Sequence, residues 1–297
     1  MVGLLAAAVV GFGMVKQQFF PPSNTPMFYV DMWMPEGTDI HTTYQQVQKV
    51  ETYIQTIPEV EFVSSTTGQG LQRFSLTYSP EKSYEAFAQL QVRIRDREQQ
   101  LPLMKQLDSE LRTQFNRVMF QFRMMEIGPT PSSKIEARLI GADPAVLRKY
   151  AAQIEDIFRA DPGTRNIRHD WRERTKELVP QFNESQARRL GISKTDLANT
   201  LQMAFGGNQI GLFRDGTQLL PIVIRLPEDE RVNYETSQNL KLWSPTLQSY
   251  VPIQQVVNTI SLDWSEPLIQ RKDRKRTLTV LADHNILGDE TAATVFA

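Results

Sequence analysis

The stretch that decides the fold is VMFQFRMMEIGPTPSSKIEARL, residues 118–139. In its first half, apolar and polar residues alternate with a period of two. This alternation places Phe120, Phe122 and Met124 on one face of a strand and Arg123 on the other. That period is typical of a half-buried strand. A glycine and two prolines interrupt the pattern, and a second alternating run begins after them. We therefore predict a crossing between two subdomains, where the apolar row either fills a core or lines a cleft.

The composition indicates a globular protein and gives no sign of nucleic-acid binding. A chain of 297 residues with 40% hydrophobic side chains has room for about two domains of ordinary size. Its 33 basic and 34 acidic residues nearly cancel, so no strong net field favours a nucleic-acid partner. Cysteine is absent, which excludes disulfides, thiolate nucleophiles and cysteine-based metal sites.

The sequence carries no motif of an enzyme or of a cofactor site. His41, His169 and His284 are scattered without the spacing of metal ligands. A nucleophile elbow, a phosphate-binding loop and a zinc motif are all missing from the sequence. We therefore expect no enzyme activity, no catalytic residues and no cofactor.

The two ends of the sequence read like edges within a longer protein. Residues 1–15, MVGLLAAAVVGFGMV, form an unbroken apolar run. As a helix this run would span about 22 Å, short of the ~30 Å hydrocarbon core of a bilayer. We interpret residues 1–24 as the remnant of a transmembrane helix with its exit segment; the alternative, a signal peptide, lacks a basic leader. Residues 288–297 open like a helix and stop without a cap.

From Met27 the pattern becomes a regular series of strands and helices. It predicts a strand, helix, strand, strand, helix, strand unit, which is the split βαβ arrangement of a ferredoxin-like sandwich in an α+β fold. The predicted strands are 27–34, 60–66, 73–79 and one from residue 118, and the predicted helices are 39–56, 83–99 and 103–115.

The same order of elements starts again beyond residue 131. The predicted elements of this second unit are a strand at 134–140, a helix at 143–159, a strand at 164–171, a strand at 277–282 and a helix near Asp289. An insertion of about ninety residues with two helices and a hairpin across Asp215-Gly216 interrupts it. The second ferredoxin-like unit is therefore expected to lack its last strand.

Three ordered segments resemble resistance-nodulation-division (RND) efflux transporters. Residues 190–231, LGISKTDLANTLQMAFGGNQIGLFRDGTQLLPIVIRLPEDER, have the Gly-Ile-Ser opening, the leucine-bearing helix and the Gly-Gly turn that precede a hairpin in that family. Residues 19–38, FFPPSNTPMFYVDMWMPEGT, are similar to the exit from the seventh membrane helix. Residues 57–70, IPEVEFVSSTTGQG, resemble the segment after the first porter helix.

The resemblance implies the second large periplasmic loop of an AcrB-like hydrophobe/amphiphile efflux pump. Its expected parts are porter subdomains at 25–127 and at 128–174 with 265–297, the latter truncated, and an inserted mixed α/β docking subdomain at 175–264. The resemblance further implies a proton-driven multidrug antiporter of the bacterial inner membrane, linked to antibiotic resistance, with this part facing the periplasm. Such a pump works as a homotrimer with a membrane-fusion adaptor and an outer-membrane channel.

In that family, lipophilic small molecules bind in the cleft between the porter subdomains and pass to the outer channel. The strand at the start of the deciding stretch resembles the strand that lines this cleft, and residues 67–74, TGQGLQRF, resemble the switch loop that projects into it. Arg123 would then select anionic or amphiphilic substrates. The implied substrate-binding residues are Tyr29, Leu71, Phe74, Phe120, Phe122, Arg123 and Met124.

Two other functions remain open. The ten methionines, among them Met32, Met34, Met124 and Met125, could supply thioether ligands for Cu(I) or Ag(I), as in a heavy-metal exporter. Adjacent strand residues point to opposite faces, so Met124 and Met125 cannot both bind one ion without a bulge. The docking insertion could instead serve only trimer and partner contacts, as an assembly module without a substrate site.

Overall fold

The computed structural model describes residues 3, 23–74, 78–125, 128, 133–231 and 234–285. The chain divides into a first unit, Met1–Thr175 with Glu266–Ala297, and a second unit, Lys176–Ser265. Most of the predicted membrane remnant, and the predicted helix near Asp289, lie outside the described residues. Within the described ranges, no helix is both long and apolar enough to cross a membrane.

Six elements of the first unit form a ferredoxin-like sandwich. They are β1 (Met27–Trp33), α1 (Ile40–Gln55), β2 (Val60–Thr67), β3 (Phe87–Ile94), α2 (Gln100–Gln114) and β4 (Met119–Met124). The four strands are antiparallel to their neighbours in the order β2-β3-β1-β4. This is the sheet that a split βαβ unit forms, so the predicted α+β fold class is confirmed.

Helix α1 begins where the sequence places a cap. The Asp39 side chain accepts a hydrogen bond from the His41 N–H, which satisfies one of the free amides at the helix start. Val47, Val50 and Ile54 recur at helical spacing and are buried. They join one core cluster with side chains of α2 and of all four strands. Each fully buried side chain of this size contributes about 1.5–3 kcal/mol to folding.

One part of the sandwich differs from the prediction. The sequence predicts a helix at 83–99, but the chain forms β3 there, followed by a short 3-10 turn at Arg97–Gln99. The segment FAQLQVRI contains good helix formers, yet β3 is a central strand with most of its residues buried. The predicted strand at 73–79 is not formed by the described residues of that range. Burial between two neighbouring strands outweighs local propensity here.

The second sandwich of the first unit starts as predicted. Its first elements are β5 (Ile135–Ile140), α3 (Pro144–Ala160) and β6 (Thr164–His169). The Asp143 side chain caps α3 by accepting from the Ala145 N–H, and proline occupies the first turn, where its missing N–H costs nothing.

The second unit follows as a series of short elements. They are β7 (Thr175–Phe182), α4 (Glu184–Leu190), α5 (Lys194–Leu201), β8 (Asn208–Asp215), β9 (Gln218–Ile224), α6 (Glu228–Arg231), α7 (Tyr234–Asn239), β10 (Lys241–Ser244), β11 (Ser249–Pro252) and β12 (Val257–Ser265). Three two-stranded sheets pair β8 with β9, β10 with β11 and β12 with β7. Their common core contains Ala187, Ile192, Leu197, Leu242, Val251, Ile253, Val256 and Val257.

The β8–β9 hairpin exposes apolar side chains on both of its faces. Phe213 and Leu220 form a cross-strand pair and are 59% and 43% exposed. Gly207, just before β8, has a φ of +91°, and a Cβ placed there would lie 2.7 Å from the Val223 Cγ1. Glycine is therefore required where the hairpin begins.

The chain returns to the first unit through two further strands, β13 (Arg271–Lys272) and β14 (Lys275–His284). Strand β14 lies between β5 and β6 and is antiparallel to both. This is the order of the first three strands of the other sandwich, as the repeat of pattern predicts. Trp171 is fully buried in the core of this sandwich and donates a hydrogen bond from its Nε1 to the Thr277 carbonyl oxygen at 2.7 Å.

Candidate functional site

The first sheet has two different faces, and the residues predicted to bind substrate are divided between them. Phe120 and Phe122 are 0% and 5% exposed and lie in the core cluster that contains Leu107 of α2. Met124 packs against the same core. The period of two assigned these side chains to one face, but the helices cover that face. In this structure the row fills the core and does not line an open groove.

The opposite face carries a polar row. In the sheet register, Tyr29 of β1 pairs with Arg123 of β4, and Asp31 pairs with Gln89 of β3 and Gln121 of β4. Because side chains alternate along a strand, these residues share the face away from the helices. Tyr29 and Arg123, which both belong to the predicted set, therefore lie side by side.

An aromatic–thioether cluster adjoins the polar row. Its members are Met27, Tyr29, Leu71, Phe74, Tyr78 and Met125. The ring centroid of Tyr29 lies 5.7 Å from that of Tyr78 and 6.2 Å from that of Phe74. Phe74 stacks on Tyr78 at 4.9 Å and is 49% exposed. The structure thus brings four of the predicted residues together, Tyr29, Leu71, Phe74 and Arg123, and separates them from the other three.

Gln89 links this cluster to an ion pair. Its Oε1 accepts hydrogen bonds from the Leu71 N–H at 3.0 Å and from the Tyr78 hydroxyl at 2.5 Å. Its Nε2 donates to Asp31 Oδ1 at 2.6 Å. Asp31 Oδ2 lies 2.7 Å from Arg123 Nε. The buried carboxylate is thereby paired with a cation and an amide, as a charge away from water requires.

Burial changes the proton affinities on this face. It raises the pKa of Tyr29 to about 12, and the neighbouring Tyr78 is the second cause. It also raises the pKa of Tyr78. Burial by itself lowers the pKa of Arg123, but the charge of Asp31 and its hydrogen bond exceed that effect, so the pKa is raised. At neutral pH the face presents two uncharged phenols beside one fixed ion pair.

A second polar group, which we call the Asp283 junction, joins the two sandwiches of the first unit. Asp283 Oδ2 accepts from the Gln121 side chain at 2.6 Å and from the Asn166 side chain at 3.3 Å. Asp283 Oδ1 accepts from the Lys134 N–H at 3.0 Å. The carboxylate therefore contacts β4, β6 and the segment just before β5.

The structure separates the methionines that the sequence analysis named. Met32 and Met34 are buried in the first core, whereas Met125 packs on the aromatic–thioether cluster beside Met27. The register of β1 with β4 ends with the pair Phe28 and Met124, and Met27 and Met125 are the residues next to that pair. Among the residues that the structure describes, no group of three or more histidine, cysteine, aspartate or glutamate side chains could hold a metal ion.

Sequence reasoning missed several residues of this face. Asp31 had a visible signal, because it is the one charge in the strand MFYVDMW. Gln89 was assigned to a predicted helix, so its position on the sheet was hidden. Tyr78 and Met27 belong to the face only through the pairing of strands and through the loop before β3, which no local pattern reveals.

A family profile described as the AcrB/AcrD/AcrF family matches residues 1–293. The cobalt-zinc-cadmium resistance protein CzcA of Cupriavidus metallidurans is 21% identical over 94% of this chain and 27% of its own length. The cation efflux system protein CusA of Escherichia coli K12 is 23% identical over 79% of this chain and 23% of its own length. This chain therefore spans about a quarter of the curated relatives that it matches.

A solved structure has the same fold. It is described as an X-ray crystal structure of a heavy metal efflux pump, and it matches with a TM-score of 0.78 at 20% identity. The match covers 99% of this chain and 31% of the solved chain.

Proposed function

The chain belongs to the AcrB/AcrD/AcrF family, and from this premise we propose that it forms the periplasmic, cargo-handling part of an efflux pump for a soft metal cation such as Cu(I) or Ag(I). Family membership agrees with the RND resemblance of the three sequence segments. The cargo differs from the lipophilic molecules that the resemblance implied. The proposal of a metal cation as cargo is supported by relatives that are named as metal-resistance and cation-efflux proteins.

The observation that carries the proposal is the pair of thioethers at one end of the polar face. Met27 and Met125 both pack against the cluster of Tyr29, Leu71 and Tyr78, next to the end of the β1–β4 pairing. Thioether sulfur is a soft ligand that prefers Cu(I) and Ag(I) over harder divalent ions. Divalent ions of the zinc type require imidazole, thiolate or carboxylate ligands, and the described residues offer no cluster of these. The donor set therefore favours a monovalent soft cation.

The assembly follows from the same proposal. We place this part of the pump on the periplasmic side of a bacterial inner membrane, in a homotrimer that contacts a membrane-fusion adaptor and an outer-membrane channel. Energy for export would come from proton antiport in other segments of the pump.

A silver titration tests the proposed cargo. Met27→Leu combined with Met125→Leu removes both sulfurs with little change in volume and should weaken Ag(I) binding at least about tenfold, since a two-ligand site loses all its donors. Met203→Leu is the matched control, because Met203 lies in the second unit and is 41% exposed. Equal Ag(I) affinity in the double variant and in the control would rule out the thioether site.

The aromatic members of the cluster favour one second candidate, an amphiphilic organic anion. Phe74 and Tyr78 present stacked rings and Arg123 a cation on the same face. Aromatic rings bind any apolar group by burying its surface, which contributes about 1.5–3 kcal/mol per phenylalanine-sized group. The guanidinium attracts the acidic group of the ligand. A fluorescent anionic dye titrated into wild type and Phe74→Ala decides this case. Binding that persists unchanged without the exposed ring would count against it, and a response to neither silver nor dye would favour an assembly module.

A further inference from the structure

One carboxylate, Glu266, holds together both places where the chain crosses between its two units. The chain leaves the first unit after Thr175 and re-enters it at Glu266. Arg148 of α3 donates from its Nε to Glu266 Oε1 at 2.7 Å and from its Nη2 to Oε2. Arg174, next to the exit, donates from its Nε to Oε1 at 2.8 Å. These three residues, which we call the Glu266 clasp, fix the exit and the return of the chain to one helix.

Arg148 makes most of the contacts of this clasp. Its guanidinium also donates to the Arg172 carbonyl oxygen at 2.7 Å, in the turn that leads to the exit. The side chains of Arg148 and Glu266 are only 18% and 13% exposed. Burial by itself raises the pKa of Glu266, but the hydrogen bonds from Arg148 and Arg174 exceed that effect, so the pKa is lowered. Since charge-assisted hydrogen bonds depend on close geometry, a displacement of Arg148 opens the clasp.

His169, the last residue of β6, contacts the clasp through Arg148. It lies opposite Val280 of β14, whose side chain belongs to the core beneath α3. The His169 Nε2 is 3.3 Å from Arg148 Nη1 and 3.9 Å from Glu155 Oε1. A guanidinium can only donate, so this Nε2 must accept, and the ring is neutral with its proton on Nδ1. That Nδ1 is buried without a hydrogen-bond partner among the described residues, so it adds no second bond that holds the ring in this state.

The two protonation states of this ring have different partners on α3. Arg148 and Glu155 are seven residues apart, about two helical turns, and therefore lie on one face of the helix. The other charges that act on the ring are those of Asp170 and Glu173. Their carboxylates accept hydrogen bonds from backbone N–H groups of β14 and of the turn after β1. A neutral ring accepts from Arg148, whereas a protonated ring can only donate, and Glu155 offers it an acceptor.

We propose that His169 is a pH-sensitive switch for the Glu266 clasp. A proton on Nε2 turns the ring from Arg148 to Glu155, and the displaced Arg148 releases the exit and return segments from α3. The ring loses the lone pair that accepts from Arg148 and gains a positive charge beside that guanidinium. Two like charges at this distance repel, while the Glu155 carboxylate attracts the imidazolium. The clasp is the two-state element that the proton biases, and the switch does not depend on the identity of the pump's cargo.

The clasp is closed at neutral pH and opens in acid. Burial lowers the pKa of His169 below its usual value of 6.5; the charge of Glu155 opposes this effect and that of Arg148 adds to it. The folded state therefore favours the neutral ring. This preference is fully present above about pH 6.5 and is lost as the pH falls through the lower folded value. Removal of the Glu155 charge should move the opening of the clasp to a more acidic pH.

NMR of the full chain tests the switch with two signals. Long-range proton–nitrogen correlation spectra report the protonation of the His169 ring. The Arg148 Nε–H signal reports the clasp, because that proton is bonded to Glu266, and its exchange with water slows in acid unless the bond opens. We expect this exchange to rise at least about tenfold over the pH interval in which His169 is protonated, as the open population grows. His169→Gln, which keeps an acceptor but takes no proton, should abolish the rise, whereas His41→Gln at an exposed histidine should keep it.

A second variant distinguishes a switch from a merely structural histidine. In Glu155→Gln, the pH midpoints of His169 protonation and of Arg148 Nε–H exchange should move to lower pH together, because the carboxylate that attracts the imidazolium is gone. Asp156→Asn is the matched control, since Asp156 binds the same Arg159 as Glu155 does but is 74% exposed. It should leave both midpoints unchanged.

The proposal is overturned if Arg148 Nε–H exchange does not rise as His169 is protonated, or if it rises equally in His169→Gln. It is also overturned if the midpoints of Glu155→Gln equal those of the matched control. The Nε1–H signal of Trp171, which is bonded to a carbonyl oxygen in the same core, reports whether a variant is folded. Should His169→Gln lose that signal, the comparison of Glu155→Gln with its control decides the question.

Discussion

Asp31 is a carboxylate in the middle of an apolar strand, and its partners explain why the strand tolerates it. It is 2% exposed, so an unpaired charge would cost several kcal/mol. Arg123 supplies the opposite charge from β4, and the Gln89 amide supplies a hydrogen bond from β3. The sequence analysis identified Arg123 as a substrate-selecting residue and did not pair it with Asp31. Its partner became visible only when β1 and β4 were placed side by side.

Replacement of Arg123 by methionine should cost about 3–5 kcal/mol of folding free energy, because Asp31 would remain buried without its cation. Arg138→Met is the control, since Arg138 pairs with Glu136 at the surface and such pairs contribute about 0–1 kcal/mol. Urea unfolding of both variants measures the difference. Similar losses of unfolding free energy in the two variants would mean that the Asp31–Arg123 pair contributes no more to stability than an exposed ion pair.

Tyr29 provides a pH dependence of known direction. Its folded pKa of about 12 exceeds its usual value of 10, so the folded state favours the neutral phenol. The resulting stability is fully present below about pH 10 and is lost as the pH rises through about 12. Alkaline urea unfolding should therefore show a steeper loss of stability in wild type than in Tyr29→Phe over that interval. Parallel curves would contradict the assignment.

At the level of elements, periodicity predicted most of this fold. Strand β4 alternates as expected, and α1 and α3 start at the aspartates that cap them. Periodicity says which side chains share a face, but it does not say what covers that face. The apolar row of β4 was therefore compatible with a cleft until α2 was seen on it. The prediction of a helix in place of β3 was wrong for a related reason. A strand that is buried on both faces has no alternation of apolar and polar residues by which it could be recognised.

The β8–β9 hairpin should accept polar substitutions at little cost to stability. Phe213→Lys with Leu220→Glu changes an exposed cross-strand pair, and we expect the free energy of unfolding to change by about 0.5 kcal/mol or less. Leu242→Ala in the core of the same unit should cost about 2–5 kcal/mol. Chemical denaturation of the second unit compares them. A large loss in the hairpin variant would show that its apolar faces are covered within the chain.

At the scale of the molecule, the deciding feature is the crossing between the two sandwiches of the first unit. The sequence predicted the crossing from the glycine and prolines after β4, and it predicted that the second sandwich repeats the first. It did not predict the Asp283 junction, because Gln121 and Asp283 are 162 residues apart and lie on opposite sides of the inserted unit. No window of local sequence contains both. Only the return of β14 between β5 and β6 brings the carboxylate to β4.

Asp283→Ala should loosen the first unit while leaving the second unit unchanged. It removes the acceptor of the Gln121 amide and of the Lys134 N–H, and a hydrogen bond of this kind contributes about 0.5–1.5 kcal/mol. Hydrogen exchange should therefore accelerate in β5, β6 and β14, with unaltered protection in α5 and β12. Asp156→Ala, at an exposed ion pair on α3, is the control and should change neither region. Accelerated exchange that spreads into the second unit, or none at all, would mean that other contacts hold the sandwiches together.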